Sequence, residues 1–437
     1  MDYLEALRIL GSVRKGGAKF GLTNMQRLVR RLGNPQDCLR FIHIAGTNGK
    51  GSTAAFLASV LQRAGFRVGL YTSPHLCSIR ERIQINFSKI SEERFAALVE
   101  EVLRAAQARE DEDGLIEPTF FEILTAVSLL YFAEERVDWV VWETGLGGRL
   151  DATNVVVPVA CVITQIDFDH QAYLGHTLAE IAREKAGILK EGIPTVVAVE
   201  REEARRVVKK RANQLGATFI PIEEEVPWKL LQVNLRNQEA RIGKQSYTLG
   251  LVGEHQVRNA ACVVALCQRG IFGPASLLDR ALKEGLQQLP WPGRFQVLQE
   301  NPPFVVDGAH NPAAARTVRA TWQAVFGSIP YHLCIGVVAD KDASGIAQEL
   351  ESGAFRVTVV KPPTERGMEP HLLAKHFPSV PVEVAESWGG VAVKLFERNR
   401  EPVLLTGSFY LVGEVLADFY GWEKEFSWNE LLSPPQR

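Results

Sequence analysis

The segment FIHIAGTNGKGSTAAFL, starting at Phe41, sets three glycines and a lysine between an apolar run and a helix-like run. Gly46, Gly49 and Gly51 let backbone N–H groups converge on an anion at the start of a helix. Lys50 is placed to reach terminal phosphates, and the Ser52 hydroxyl to hold Mg²⁺. Thr47, Asn48 and Thr53 complete the candidate ATP loop. The strict phosphate-loop pattern is not met. Only Thr47 and Asn48 separate Gly46 from Gly49, and Gly51 intervenes between Lys50 and Ser52. A strand before and a helix after favour nucleotide phosphate binding over a plain structural turn.

Three further positions follow strand-like runs. Ser73 lies in YTSPHL, Glu143 ends DWVVW and opens ETGLGGRLDATN, and His170 lies in VITQIDFDHQAYLG beside Asp167 and Asp169. A carboxylate directly after a buried strand, with glycines behind it, is well placed to hold a hard cation. In an open α/β sheet the carboxyl ends of the strands share one edge, where ligands bind, so Gly46, Ser73, Glu143 and His170 should converge there.

Lys185 belongs to a helix that Thr177 and Glu180 open as a capping box. It falls seven residues after Leu178, on the same face as Ile181 and Ala182. A buried amine is disfavoured in its charged form, and the neutral amine adds CO₂ to give an anionic carbamate. The alternative is a lysine that snorkels out of the apolar face.

The elements that must position these residues alternate. Strands are expected at 39–45, 66–72, 138–142, within 155–166 and at 194–199, and helices at 52–64, 121–134 and 177–190. This rhythm predicts a mostly parallel sheet with helices on both faces. Alternating polar and apolar residues between Pro221 and Thr248 predict a small antiparallel sheet, and a helix follows at 256–268. LPWPGRFQ, Leu289 to Gln296, packs two prolines and a glycine into a short span and marks a domain boundary. Beyond it, strand-like runs at 304–306, 332–338, 355–360, 380–384 and 402–405 predict a smaller Rossmann-like α/β domain. The expected domains are 1–295 and 296–437.

Global composition excludes several classes. Of 437 residues 46% are hydrophobic and 23% charged, as in an ordinary globular protein, and a net charge of -2 favours neither nucleic acid nor anionic membrane. No apolar stretch reaches the ~18 residues of a membrane span, and MDYLEALRIL lacks a signal-peptide layout, so a cytoplasmic monomer is expected. Six cysteines without CxxC or zinc spacing read as buried, reduced thiols. The acidic run 109–117 reads as a solvated loop. Nine Lys or Arg against three Asp or Glu in the first fifty residues suit an anionic ligand or simply a solvated helical face.

HIAGTNGKGST, YTSPHL, ETGLGGRLDATN, the DH…LG…KAGI region, HQVRNA, WPGRFQ, DGAHNP, GVVADKD and LLTGSFYLVGEV together resemble the folylpolyglutamate synthase and dihydrofolate synthase family of the Mur-ligase superfamily. The resemblance implies an ATP-dependent ligase that adds L-glutamate to folate and to dihydropteroate through an acyl phosphate. It implies two Mg²⁺ ions, with Ser52, Ser73, Glu143, His170 and carbamylated Lys185 as ligands. It places Asn259 at adenine, Arg294 at the phosphates, and Asp307 and His310 near ribose and phosphates. Asp151 and Asn154 are expected near the pterin or in loop-fixing hydrogen bonds, and Ser408 and Tyr410 near glutamate or the domain interface. A peptidoglycan-type Mur ligase is the nearest rival, but the 45 residues before Gly46 are too few for its UDP-sugar domain. A P-loop ATPase regulator would leave Glu143, His170 and Lys185 unemployed.

Overall fold

The computed structural model describes residues 1–14, 21–108, 115–385, 388–389, 391, 400–422 and 424. Most of the acidic run, 109–114, lies outside the described residues. Eight strands form the first sheet: β1 (Phe41–Ala45), β2 (Val68–Tyr71), β3 (Ile83–Ile85), β4 (Ser88–Lys89), β5 (Trp139–Glu143), β6 (Ala160–Ile163), β7 (Thr195–Val197) and β8 (Phe219–Pro221). Their order is β4-β3-β2-β5-β1-β6-β7-β8, parallel from β2 through β8, with β3 and β4 antiparallel at one edge. All five residues of β1 and of β5 are buried, which is why they read as unbroken apolar runs: helices cover both faces. Helices Lys50–Arg63, Glu254–Cys267 and Ala275–Gln287 pack on one face, and Glu92–Gln107 and Phe120–Glu134 on the other.

The alternating region forms a separate antiparallel sheet of β9 (Trp228–Val233), β10 (Gln238–Ile242) and β11 (Gln245–Leu249). Its buried face, Ala240, Ile242, Tyr247 and Leu249, joins the core under helix Glu254–Cys267. A third sheet comprises β12 (Gln296–Glu300), β13 (Pro303–Val306), β14 (Tyr331–Ile335), β15 (Ala354–Val360), β16 (Val382–Ala385) and β17 (Val403–Thr406), in the order β12-β13-β17-β14-β15-β16. It is parallel except for β12, which pairs antiparallel with β13.

Three local expectations need correction. The strand expected within 155–166 is confined to Ala160–Ile163, after a short 3-10 turn at Ala152–Val155 and Pro158. The helix expected to Lys190 ends at Lys185, and 3-10 turn Ala186–Ile188 follows. Gly187 there lies against Arg149, whose Cβ would stand 2.3 Å from an added side-chain carbon, so close packing bends the chain. Cys38 is exposed, whereas Cys161, Cys262, Cys267 and Cys334 are buried and Cys77 partly so; all six are free. Cys38 sits in the 3-10 turn Pro35–Cys38, where its thiol donates to the Pro35 carbonyl at 3.3 Å. Among the described residues, no helix is long and apolar enough to cross a membrane.

Candidate active site

Register fixes the common edge. Ile44 pairs with Glu143, Ala45 with Ile163 and Tyr71 with Trp142, so β2, β5, β1 and β6 end side by side. Their continuations, with loops of the third sheet, line one cavity of 790 Å³. That size is in the range of small-molecule sites. Gly46, Thr47, Asn48, Gly49, Lys50, Gly51, Ser52, Ser73, Glu143, Asp151, His170, Lys185, Asn259, Arg294, Asp307, His310, Ser408 and Tyr410 all line it.

The phosphate loop is held tightly. Gly49 has φ 89° and ends the loop at helix Lys50–Arg63, and an added Cβ would meet Asn259 Oδ1 at 2.5 Å. At Gly46 the same carbon would stand 1.8 Å from Thr164 Oγ1. Thr47 Oγ1 donates to the Asp167 carbonyl at 2.9 Å and accepts from Asp167 N at 3.1 Å, tying the loop to the segment that leads to His170. Lys50 Nζ folds back onto the carbonyls of Gly46 and Thr47, at 3.1 and 3.2 Å. Thr53 is fully buried and is not part of the cavity wall.

Two buried ionisable groups flank this loop. Burial pushes Glu143 up to about 7, against the pull of Lys50 and the Ser73 backbone N–H, which donates to Oε2 at 3.1 Å. Burial first, then the charge of Lys50, pulls Lys185 down to about 7. Its Nζ does not snorkel out: it donates to the Gly46 carbonyl at 2.8 Å. The expected Thr177/Glu180 capping box is present and sets that helix, with Leu178, Ile181, Ala182 and Lys185 all buried.

His170 has φ 50° and opens the short helix Gln171–Leu174. Burial brings its imidazole down to about 4. Asp169 beside it is opposed by burial, yet His310, Lys341 and His170 hold its carboxyl far below the usual range. Among the described residues, no three His, Cys, Asp or Glu side chains cluster as a protein-only metal cage would. The chemistry present suits instead a hard cation that takes hydroxyls, one carboxylate and phosphate oxygens: the desolvated Glu143 lines the same cavity as Ser52 and Ser73.

The third sheet contributes the opposite wall. Asp307 Oδ2 accepts from Phe295 N at 2.7 Å and Oδ1 from Ala309 N at 2.8 Å. It thereby holds Phe295 at φ 39°, in the turn that aims Arg294 into the cavity. The Arg294 guanidinium lies 4.4 Å from the Phe409 ring centroid. Gly51 would place a Cβ 3.6 Å from Glu143 Oε2 and 3.7 Å from Arg294 Nη2, so carboxylate and guanidinium both face the start of the helix. Asn259 Nδ2 donates to Gln256 Oε1 at 2.9 Å. His310 Nδ1 lies 2.9 Å from the Gly308 carbonyl. Ser408 caps helix Phe409–Tyr420 by accepting from Tyr410 N at 3.1 Å.

Asp151 and Asn154 differ. Asp151 reaches the cavity wall while its carboxylate accepts from Leu146 N at 2.7 Å and Thr153 N at 3.0 Å. Asn154 donates to the carbonyls of Arg149 and Gly187 and accepts from Lys190 Nζ, and stands off the cavity wall. These are loop-fixing bonds, one of the two roles expected of it. Part of the N-terminal basic excess is likewise structural: Arg31 donates to the Ala105 and Ala106 carbonyls, both at 3.1 Å, at the carboxyl end of helix Glu92–Gln107.

Sequence reading left other cavity residues without a role. Arg82 donates through Nε to His75 Nδ1 at 2.9 Å, and both line the cavity with Phe120 and Phe121. Lys341 reaches Asp169 from the loop after β14. RERIQIN contains Arg82 and GVVADKD contains Lys341, but nothing in their spacing marks the two as site residues.

The family model described as "Mur ligase middle domain" matches residues 44–267, and "Mur ligase, glutamate ligase domain" matches 293–409. The chain is 38% identical to the dihydrofolate synthase/folylpolyglutamate synthase of Bacillus subtilis (strain 168), over 94% of this chain and 98% of that one. It is 33% identical to the folylpolyglutamate synthase of Lacticaseibacillus casei, over 96% and 99%. Among solved structures, E. coli FolC in complex with DHPP and ADP superposes with a TM-score of 0.85 at 28% identity, covering 96% of this chain and 98% of that one. Mycobacterium tuberculosis folylpolyglutamate synthase complexed with ADP gives 0.86 at 30% identity, covering 97% and 100%.

Proposed function

The chain belongs to the folylpolyglutamate synthase/dihydrofolate synthase family of Mur ligases, and from that premise we propose that it is an ATP-dependent ligase adding L-glutamate to folate and to dihydropteroate. The observation that carries the reading is a shared cavity in which the phosphate loop, Glu143 and Lys185 face Arg294, Asp307 and His310. We assign residues 1–295 to ATP binding and 296–437 to the glutamate ligase domain, in line with the two family matches. A cytoplasmic monomer working on small molecules completes the assignment.

The acceptor carboxylate attacks the γ-phosphorus of ATP, ADP leaves, and the glutamate amine displaces phosphate from the acyl phosphate through a tetrahedral intermediate. The loop N–H groups from Gly46 to Ser52 cradle the phosphates. Lys50 leaves the Gly46 and Thr47 carbonyls for the nucleotide, and with Arg294 it offsets the charge that builds during phosphoryl transfer. Phe409 steadies the Arg294 guanidinium from its open side. Asn259 takes adenine, Asp307 and His310 the ribose and phosphate side, Asp151 the pterin side, and Ser408 and Tyr410 the incoming glutamate. Ser52, Ser73 and Glu143 would hold one Mg²⁺ and His170 with a carbamate on Lys185 a second, and bound ions would supply electrostatic stabilisation of the charge that builds during phosphoryl transfer. Closure of the two walls excludes water that would hydrolyse the acyl phosphate.

Glutamate-dependent ADP release, run in parallel on dihydropteroate and on a reduced folate, tests this reading. Turnover with both acceptors is expected. Turnover with one alone would remove the other activity, and ADP release indifferent to both acceptors and to glutamate would contradict the ligase and favour an ATPase regulator.

A further inference from the structure

Asp169 stands on the loop between β6 and helix Gln171–Leu174, while Lys341 stands after β14 in the third sheet. Lys341 Nζ donates to Asp169 Oδ1 at 2.6 Å, and their side chains are 9% and 8% exposed. Asn311 Nδ2 donates to the other oxygen, Oδ2, at 3.1 Å, and His310 Nε2 lies 3.6 Å from it. Three side chains on the third-sheet side thus converge on one carboxylate of the ATP-binding side. Asn311 also exchanges amide hydrogen bonds with Asn48 of the phosphate loop, at 3.0 and 3.2 Å, and caps helix Pro312–Phe326 through Ala314 N at 2.9 Å.

We propose that Asp169 and Lys341 form an ionic latch that holds the two walls of the cavity in register over the nucleotide. They are a positioning pair: neither needs to touch a reacting atom. The inference rests on the ligase reading for its kinetic consequence. A desolvated ion pair is satisfied in one relative placement of its two carriers, and removing either partner leaves an uncompensated buried charge in the closed state. The network then carries that register to the phosphate loop through Asn311 and Asn48. Lys341 Nζ also stands 3.1 Å from His170 Nε2, so the latch includes the loop that presents His170.

The test compares Asp169→Asn, Lys341→Met, the double variant and Lys341→Arg in the full-length chain. It measures steady-state kinetics, and small-angle X-ray scattering with a non-hydrolysable ATP analogue and Mg²⁺. Each single neutralisation should lower kcat about tenfold or more, and the double variant should be no worse than the poorer single, because both remove the same interaction. The analogue-bound radius of gyration should rise in all three, and Lys341→Arg should restore both readouts. Losses that multiply in the double variant, with a wild-type radius of gyration throughout, would overturn the latch, as would wild-type kcat in either single variant. Should Asp169→Asn fail to fold, Lys341→Met against Lys341→Arg decides through the same scattering measurement. Scattering does not depend on turnover: compaction by the analogue without glutamate-dependent turnover would sink the ligase reading alone.

Discussion

Replacing Lys185 by alanine is expected to lower glutamate-dependent ADP release about 10²–10³-fold, with partial recovery on adding a short-chain carboxylate such as acetate or propionate. The lysine is fully desolvated, and its amine, brought down to about 7, is substantially neutral at physiological pH. A carboxylate of the right length can supply the anionic oxygens that a carbamate would place there. The nearby positive charge of Lys50 favours an anion at this point. Truncation also frees the Gly46 carbonyl that Lys185 Nζ now binds, so some loss would arise from the loop alone. Rescue separates the two effects. A folded Lys185→Ala variant that no carboxylate improves would speak against a carbamate and leave Lys185 as a support for the phosphate loop.

Glu143→Gln should raise the Mg²⁺ concentration needed for half-maximal activity by about 10–100-fold, the scale seen when groups that support a metal are lost. Glutamine preserves volume and still accepts from Ser73 N, so the loop should keep its shape. What disappears is a buried carboxylate that faces Gly51, Lys50 and Arg294. Measuring activity against Mg²⁺ at saturating ATP checks it. An unchanged requirement would take Glu143 out of the metal site.

Much of this arrangement was legible in the chain because its signals are local. Buried parallel strands read as apolar runs, and the glycines of 46–51 sit where backbone must approach a ligand. The capping box at Thr177 was visible as a spacing, and the helical spacing from Leu178 placed Lys185 on the apolar face. Convergence of Gly46, Ser73, Glu143 and His170 followed from the general geometry of strand ends and holds in the register of β1, β2, β5 and β6. For Asn154 the sequence left two roles open, because its three partners, Arg149, Gly187 and Lys190, come together only when the 3-10 turn after Lys185 forms. Strands β8 and β12 are short or at an edge, so their patterns are too brief to stand out. The Asp169–Lys341 pair joins residues 172 positions apart and has no local signature at all.

The acyl phosphate is the step on which the whole assignment depends, and it can be followed by label. An acceptor folate or dihydropteroate carrying ¹⁸O in its reacting carboxyl should transfer one labelled oxygen to inorganic phosphate for each amide bond formed, because the leaving phosphate takes the carboxyl oxygen with it. Unlabelled phosphate, with amide product accumulating, would contradict an acyl-phosphate ligase built on this cavity.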